Sequence, residues 1–486
     1  MLEKIIEGLR SWPRPKQLSL KKMRALILAC FFLSGACGLV YEVAWLRVLG
    51  LIFGNTTFAT STVLAGYMAG LGLGALWWGK RIDRQGNPVR VYAALEAWIG
   101  AYALLTPLIW LLIDLLTIGF YRFISPTFFT ALLFKFVIAF SALLVPTFLM
   151  GATLPVLSKY FVTQDEEVAK QVGLLYGLNT LGAVLGVIFS GFVALQTLGV
   201  WKTVYLTGIF NFLIFYLCRR FFSSPAVNKK VISKGAVPSQ ILGGQSPAVA
   251  FSPAVTWTLL SLFAVSGAVS MMYEIAWTRV LAMALGSSVY AFSLMLATFL
   301  LGISIGSYLF SQFSRFFRAG LHTFAMLQIL TALFGLWGIN VFNDMPYYFV
   351  RIFGASHGSE LLLNLGRFLL CSIVMLPPTL MIGAMFSCFI HILRRSRPLG
   401  SEIGEAYFSN TIGTILGSVL TGFCIIPLVG IQHTLLLAAG LNAAIGLAAF
   451  FLPKLEGDSP FKSFRGTVPF AILLGAISFT AFSVRP

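Results

Sequence analysis

Runs of about twenty apolar residues, separated by short polar breaks, follow one another along nearly the whole chain. Hydrocarbon offers a peptide group no hydrogen-bond partner, so such a run crosses a bilayer only as a helix that satisfies its own backbone. The residues are 58% hydrophobic and 10% charged, with a mean hydropathy of +0.89. A soluble domain carries about 25% charged residues, so an all-α polytopic membrane protein is expected. The spacing predicts six spans near 25–46, 56–79, 91–117, 127–150, 171–195 and 199–218. Six more follow near 255–278, 287–310, 321–342, 363–392, 403–427 and 431–453.

The second six copy the first. SGACGLVYEVAWLR, from Ser34 to Arg47, returns as SGAVSMMYEIAWTR from Ser266 to Arg279. Gly70 and Gly74 return as Gly302 and Gly306, Pro146-Thr147 as Pro378-Thr379, and Asn179 as Asn410. An even number of spans per copy sends both copies into the membrane from the same side. This parallel 6+6 plan resembles the architecture of the major facilitator superfamily. The expected organisation is a basic tail at 1–24, repeats at 25–218 and 255–453 joined by a linker at 219–254, and a basic linker with a thirteenth helix at 454–486.

The net charge of +18 describes topology rather than nucleic-acid binding. Arg10, Arg14, Lys21, Lys80, Arg84, Lys159, Arg219, Lys229, Arg394 and Lys454 all fall in alternate loops. By the positive-inside rule the N-terminus is expected on the cytoplasmic side of the membrane. The six cysteines lie in or beside apolar spans without metal-ligand spacing and read as small buried hydrophobes. No metal and no cofactor is expected. Gly66, Gly70 and Gly74, four residues apart in an apolar run, read as a close-approach face between helices rather than as a phosphate loop. Pro146 and Pro378 are expected near the cytoplasmic ends of the fourth and tenth spans, where each removes a backbone hydrogen bond, and the segments Met150–Pro155 and Ile382–Ser387 are expected as hinges or as helix ends.

Ionisable residues inside the spans are the candidates for chemistry, because a charge at the bilayer centre costs roughly 2.5–3.5 kcal/mol on insertion scales. Glu42 and Glu274 stand in the first and seventh spans, and Lys135 and Arg367 in the fourth and tenth. At about 1.5 Å per residue the two pairs reach similar depths, so each can form a static ion lock or a pair coupled to a proton or substrate. Tyr41 and Trp45, with their copies Tyr273 and Trp277, are expected to share a helix face with the glutamates. Arg47 and Arg279 are expected to snorkel to the outer headgroups. Asn179 and Asn410, beside Tyr176 and Tyr407, are expected to bond a neighbouring helix or to line a gate. Glu96 has Gln328 as its counterpart, so the shared architecture does not require a carboxylate there.

These motifs, with FGNT at Phe53–Thr56, AGYMAGLGLG at Ala65–Gly74, PTFLMGATLP at Pro146–Pro155 and YGLNTLGAVLGVIFSGF at Tyr176–Phe192, resemble the membrane part of the fused major-facilitator/spermidine-synthase-like bacterial proteins. The resemblance covers about 25–453. It implies kinship with proteins that often carry a soluble aminopropyltransferase-like domain, for which no segment here is long enough. The resulting expectation is a transporter-like protein that moves or binds a small solute, a polyamine or other organic cation, between its halves. Carboxylates beside aromatic faces suit amines. Lys135 and Arg367 would suit an anion instead. The alternative is a non-transporting membrane anchor or platform, or the membrane portion of an aminopropyltransferase. Expected partners are the lipid bilayer, the solute, and an enzyme or membrane partner on a peripheral thirteenth helix near 467–483.

The topology has a direct test. A cysteine placed beside Lys229 is expected to escape a membrane-impermeant thiol reagent applied to intact cells, and efficient labelling there would reverse the orientation. Deleting 467–486 is expected to leave the twelve-span body folded.

Overall fold

The computed structural model describes residues 19–53, 57–84, 87–124, 126–162, 168–222, 252–286, 289–317, 320–393 and 398–455. The basic tail to residue 18, most of the FGNT motif, the central linker from 223 to 251 and the thirteenth span lie outside the described residues. The first half comprises α1 (Leu20–Phe53), α2 (Thr57–Ile82), α3 (Pro88–Ile124), α4 (Phe128–Phe161), α5 (Val168–Phe189) and α6 (Gly199–Phe222). The second comprises α7 (Pro253–Leu285), α8 (Val289–Phe317), α9 (Leu321–Ala355), α10 (Glu360–Leu393), α11 (Leu399–Leu420) and α12 (Ile426–Leu455). Among the described residues ten helical stretches are long and apolar enough to cross a membrane, the last of them, Leu399–Leu452, holding both α11 and most of α12.

Several helices outrun the expected spans. α3 continues to Ile124, α4 to Phe161 and α9 to Ala355. Apolar run length measures the hydrocarbon crossing, whereas a helix continues past it for as long as its backbone bonds are made. Pro146 and Pro378 therefore lie inside α4 and α10 and not at their ends. Thr147 and Thr379 each donate to the carbonyl four residues back, Leu143 and Met375, at 2.6 Å, which engages backbone acceptors beside each proline.

The two halves repeat one packing scheme. α1 packs on α5 and α6, α2 on α4, and α3 on α4 and α6; α7 packs on α11 and α12, α8 on α10, and α9 on α10 and α12. The halves meet mainly where α2 lies on α11 and α5 on α8. Near the basic ends of the helices, Asp83 accepts from the backbone N–H groups of Gly400 (3.2 Å) and Ser401 (2.9 Å), capping α11 from the other half. Toward the opposite end Tyr290 donates to Gln196 at 2.8 Å.

Glycine makes this packing possible. A Cβ on Gly74 would collide with the Phe148 carbonyl, one on Gly306 with the Leu380 carbonyl, and one on Gly182 or Gly413 with the carbonyl of Phe32 or Ala264. The sequence also hides a symmetric feature that only the backbone reveals. α5 and α11 each pass through a π segment, Ser190–Ala194 and Thr421–Ile425. A positive-φ glycine then breaks the helix direction in each half, Gly199 at the start of α6 and Gly430 at a kink within α12.

Replacing Gly74 by alanine is expected to destabilise the bundle by about 1–3 kcal/mol, read as a lower midpoint of thermal unfolding in detergent. Gly119 has nothing within 4 Å of its Cβ position, so Gly119→Ala is expected to leave the midpoint unchanged or raise it. Equal effects at both positions would refute close approach as the source of cohesion.

Candidate functional site

Between the halves lies a cavity of about 230 Å³. α1 lines it with Ser34, Gly35, Gly38, Leu39 and Glu42, residues alternately one and three apart that form one helical stripe. α7 lines it with Ser266, Ser270 and Glu274. Both glutamates of the repeat thus face one chamber from symmetric positions. Among the described residues lining the cavity there is no lysine, arginine or histidine.

The cations expected to pair with these carboxylates are placed elsewhere. Neither Lys135 nor Arg367 lines the cavity. Lys135 Nζ sits 5.8 Å from the Tyr121 ring centroid, close to the end of α3. Arg367 donates to Asn364 at 3.2 Å and lies 5.8 Å from the Phe349 ring. Equal sequence offset and equal depth therefore did not mean equal azimuth. The faces of α4 and α10 that carry these cations include exposed residues such as Leu133, Val137, Leu365 and Leu369.

The aromatic expectation is corrected as well. Tyr41 and Trp45 stack at 5.2 Å with 13° between ring planes, as Tyr273 and Trp277 do at 4.8 Å and 22°. These four side chains are buried and face away from the cavity. Tyr41 donates to Asn211 on α6 at 2.7 Å, and Trp45 meets Tyr102 of α3 edge-on. One residue of helix is about 100° of rotation, so Glu42 turns to the cavity while Tyr41 turns behind it. The rings that do line the chamber include Tyr67, Tyr176, Phe386 and Tyr407, with Tyr176 and Phe386 in contact at 4.6 Å. Tyr67 and Phe386 carried no signal in the sequence, because an apolar-flanked aromatic in a membrane span looks the same whether it packs or lines a cavity.

Asn179 and Asn410 line the cavity and also clamp helices: their amides donate to the carbonyls of Phe31 (2.9 Å) and Phe263 (3.3 Å), on α1 and α7. Gly35 and Gly267 lie against the same asparagines with no room for a Cβ. Arg47 is exposed and Arg279 half-buried, and neither lines the cavity. Among the described residues no three His, Cys, Asp or Glu side chains cluster as metal ligands.

No family model matches the chain. It is 31% identical over 194 residues to a polyamine aminopropyltransferase of Mycobacterium tuberculosis (strain ATCC 25618 / H37Rv), a stretch covering 39% of this chain and 34% of that protein. Similar stretches match polyamine aminopropyltransferases of Corynebacterium efficiens (28% over 204 residues, 41% of this chain and 36% of that one) and Streptomyces coelicolor (27% over 189 residues, 39% and 32%). The matched stretch is thus about a third of the length of these curated relatives. Among solved structures, an outward-facing bacterial homologue of the iron transporter ferroportin superposes with a TM-score of 0.52 at 15% identity, over 89% of this chain and all of that one. The chain is a multi-pass membrane protein, all-helical over its described elements, with a major-facilitator-like fold.

The hydrogen bonds behind α1 and α7 give an unequal pair of predictions. Tyr41→Phe leaves Asn211 without its donor and is expected to cost about 1 kcal/mol of stability. The Tyr273 hydroxyl makes no well-formed hydrogen bond among the described residues, so Tyr273→Phe is expected to be neutral or mildly stabilising. Equal losses in thermal unfolding would contradict the asymmetry.

Proposed function

We propose that this protein is a transporter that binds a small organic cation, a polyamine, in the cavity between its halves and carries it across a bacterial inner membrane. The observation that carries the reading is the placement of Glu42 and Glu274 in one chamber whose described lining includes no cationic side chain. Two carboxylates in an apolar interior repel each other and lack solvation. A slender solute with two separated ammonium groups relieves both, and the faces of Tyr67, Tyr176 and Tyr407 add cation–π attraction. An anionic solute would meet only like charge there. The partial likeness to polyamine aminopropyltransferases supports the choice of a polyamine among organic cations. The 6+6 fold supplies two halves that can rock about a fixed central site.

A second reading is favoured by one observation: the likeness reaches only about a third of those relatives' length. The chain would then be the membrane anchor or platform of an aminopropyltransferase-like enzyme.

Spermidine binding to the purified protein and spermidine counterflow in proteoliposomes separate the two. Glu42→Gln and Glu274→Gln are each expected to weaken binding about 10- to 100-fold, as loss of a charged partner does, and the double variant to abolish counterflow. Lys135→Met is expected to leave binding unchanged. A folded wild-type protein that neither binds nor exchanges spermidine would favour the platform.

A further inference from the structure

Behind α1, one buried carboxyl reaches the cavity through a single hydroxyl. Glu96 of α3 is fully buried. It accepts from Ser34 Oγ at 2.6 Å on one oxygen and from Asn211 Nδ2 at 2.7 Å on the other. Tyr41 completes the chain by donating to Asn211 Oδ1. Ser34 is at the same time part of the cavity lining.

The second half keeps every member but one. Ser266, Tyr273 and Asn442 correspond to Ser34, Tyr41 and Asn211, while Gln328 stands where Glu96 would. There the serine bond runs the other way: Gln328 Nε2 donates to Ser266 Oγ at 2.8 Å, and the serine hydroxyl points to Met385 Sδ at 3.6 Å. Met385 is itself a cavity residue. Among the described residues Gln328 Oε1, Tyr273 Oη and Asn442 Nδ2 make no well-formed hydrogen bond.

A primary amide is a fixed analogue of a protonated carboxyl, since each is neutral and offers both a donor and an acceptor. At its serine the second half therefore displays permanently the bond direction that the first half adopts when Glu96 carries a proton. Its O–H would donate to Ser34 Oγ, and the serine hydrogen would be released to turn into the cavity. Gln328 also shows that a half of this design folds without a carboxylate at this position.

We propose that Glu96 is a proton-binding site of the central cavity, present in one half only, with Ser34 as its relay. A proton arriving from cavity water is taken up by Ser34 Oγ while the serine passes its own hydroxyl proton to Glu96 Oε1. The serine is neutral before and after, and the carboxylate becomes a carboxylic acid; release reverses both transfers. The ionisable groups facing Glu96 are Cys30, Cys37 and Tyr41 of α1, Cys218 of α6 and Tyr92 of its own helix. All are neutral acids, and among the described residues α4 brings none to it. Its two bonded partners are neutral as well, so a proton comes and goes without breaking an ion pair.

Infrared difference spectroscopy of the full chain in lipid nanodiscs, titrated with pH, tests this without any solute, so its outcome is independent of the transport reading. A Glu42→Gln/Glu274→Gln background removes the other cavity carboxyls. In it, a pH-dependent carboxylic-acid C=O band is expected to remain and to vanish on adding Glu96→Gln. Ser34→Ala is expected to keep the band but slow its proton–deuteron exchange about tenfold or more. A band that survives Glu96→Gln, or the absence of any titrating band, would overturn the site. Exchange unaffected by Ser34→Ala would overturn the relay. Should Glu96→Gln not fold, the Ser34→Ala exchange rate decides alone.

Discussion

Two apolar helices surrounded by lipid gain little by hiding apolar surface from each other, because lipid tails are as apolar as leucine. Their association rests on contact area and on the few polar groups that meet across the interface. In this protein both depend on glycine. At the closest helix crossings inside each half a glycine sits over a backbone carbonyl: Gly74 over Phe148, Gly182 over Phe32, and their copies over Leu380 and Ala264. The same device joins the halves at Gly79 and Gly400. Backbones that approach this closely bring many atoms into dispersion contact and fix the azimuth of each helix. Everything else about the cavity follows from that azimuth.

The azimuth of α1 and α7 is what makes a site. Each presents a serine, small residues and a glutamate to the centre, and its stacked tyrosine and tryptophan to the helices behind. Asn179 and Asn410 bind α5 to α1 and α11 to α7 through backbone carbonyls, so the residues that shape the chamber also hold its walls in register. A motion of one half against the other can thus preserve each half's contribution to the cavity.

Duplication supplies an internal comparison. Positions that remain equal in both halves, such as the glycines, the Thr147/Thr379 pair and the π segments, belong to the architecture. Where the copies diverge, as at Glu96 and Gln328, the architecture has tolerated both residues, and the hydrogen bonds record the difference: both carboxyl oxygens of the glutamate are bonded, whereas the glutamine oxygen is not. An unmet buried polar group carries a cost, so the two halves are not energetically equivalent despite their shared fold.

Much of this was legible in the residues. Apolar run length and the repeat determined twelve helices in two parallel sets, because hydrocarbon thickness and backbone satisfaction leave a chain of this composition little other choice. The glycine spacing identified packing faces for the same kind of reason. Glu42 and Glu274 stood out because a buried carboxylate is costly wherever it lies. Partnership was not legible. Equal depth suggested Glu42 with Lys135 and Glu274 with Arg367, but depth is one coordinate of two, and rotation about the axis of α4 and α10 is set by glycine contacts with other helices. The same rotation sent Tyr41 and Trp45 behind α1 and brought Tyr67 and Phe386 to the cavity. A sequence fixes how far along a helix each residue lies, whereas only the packed bundle decides which way that residue faces.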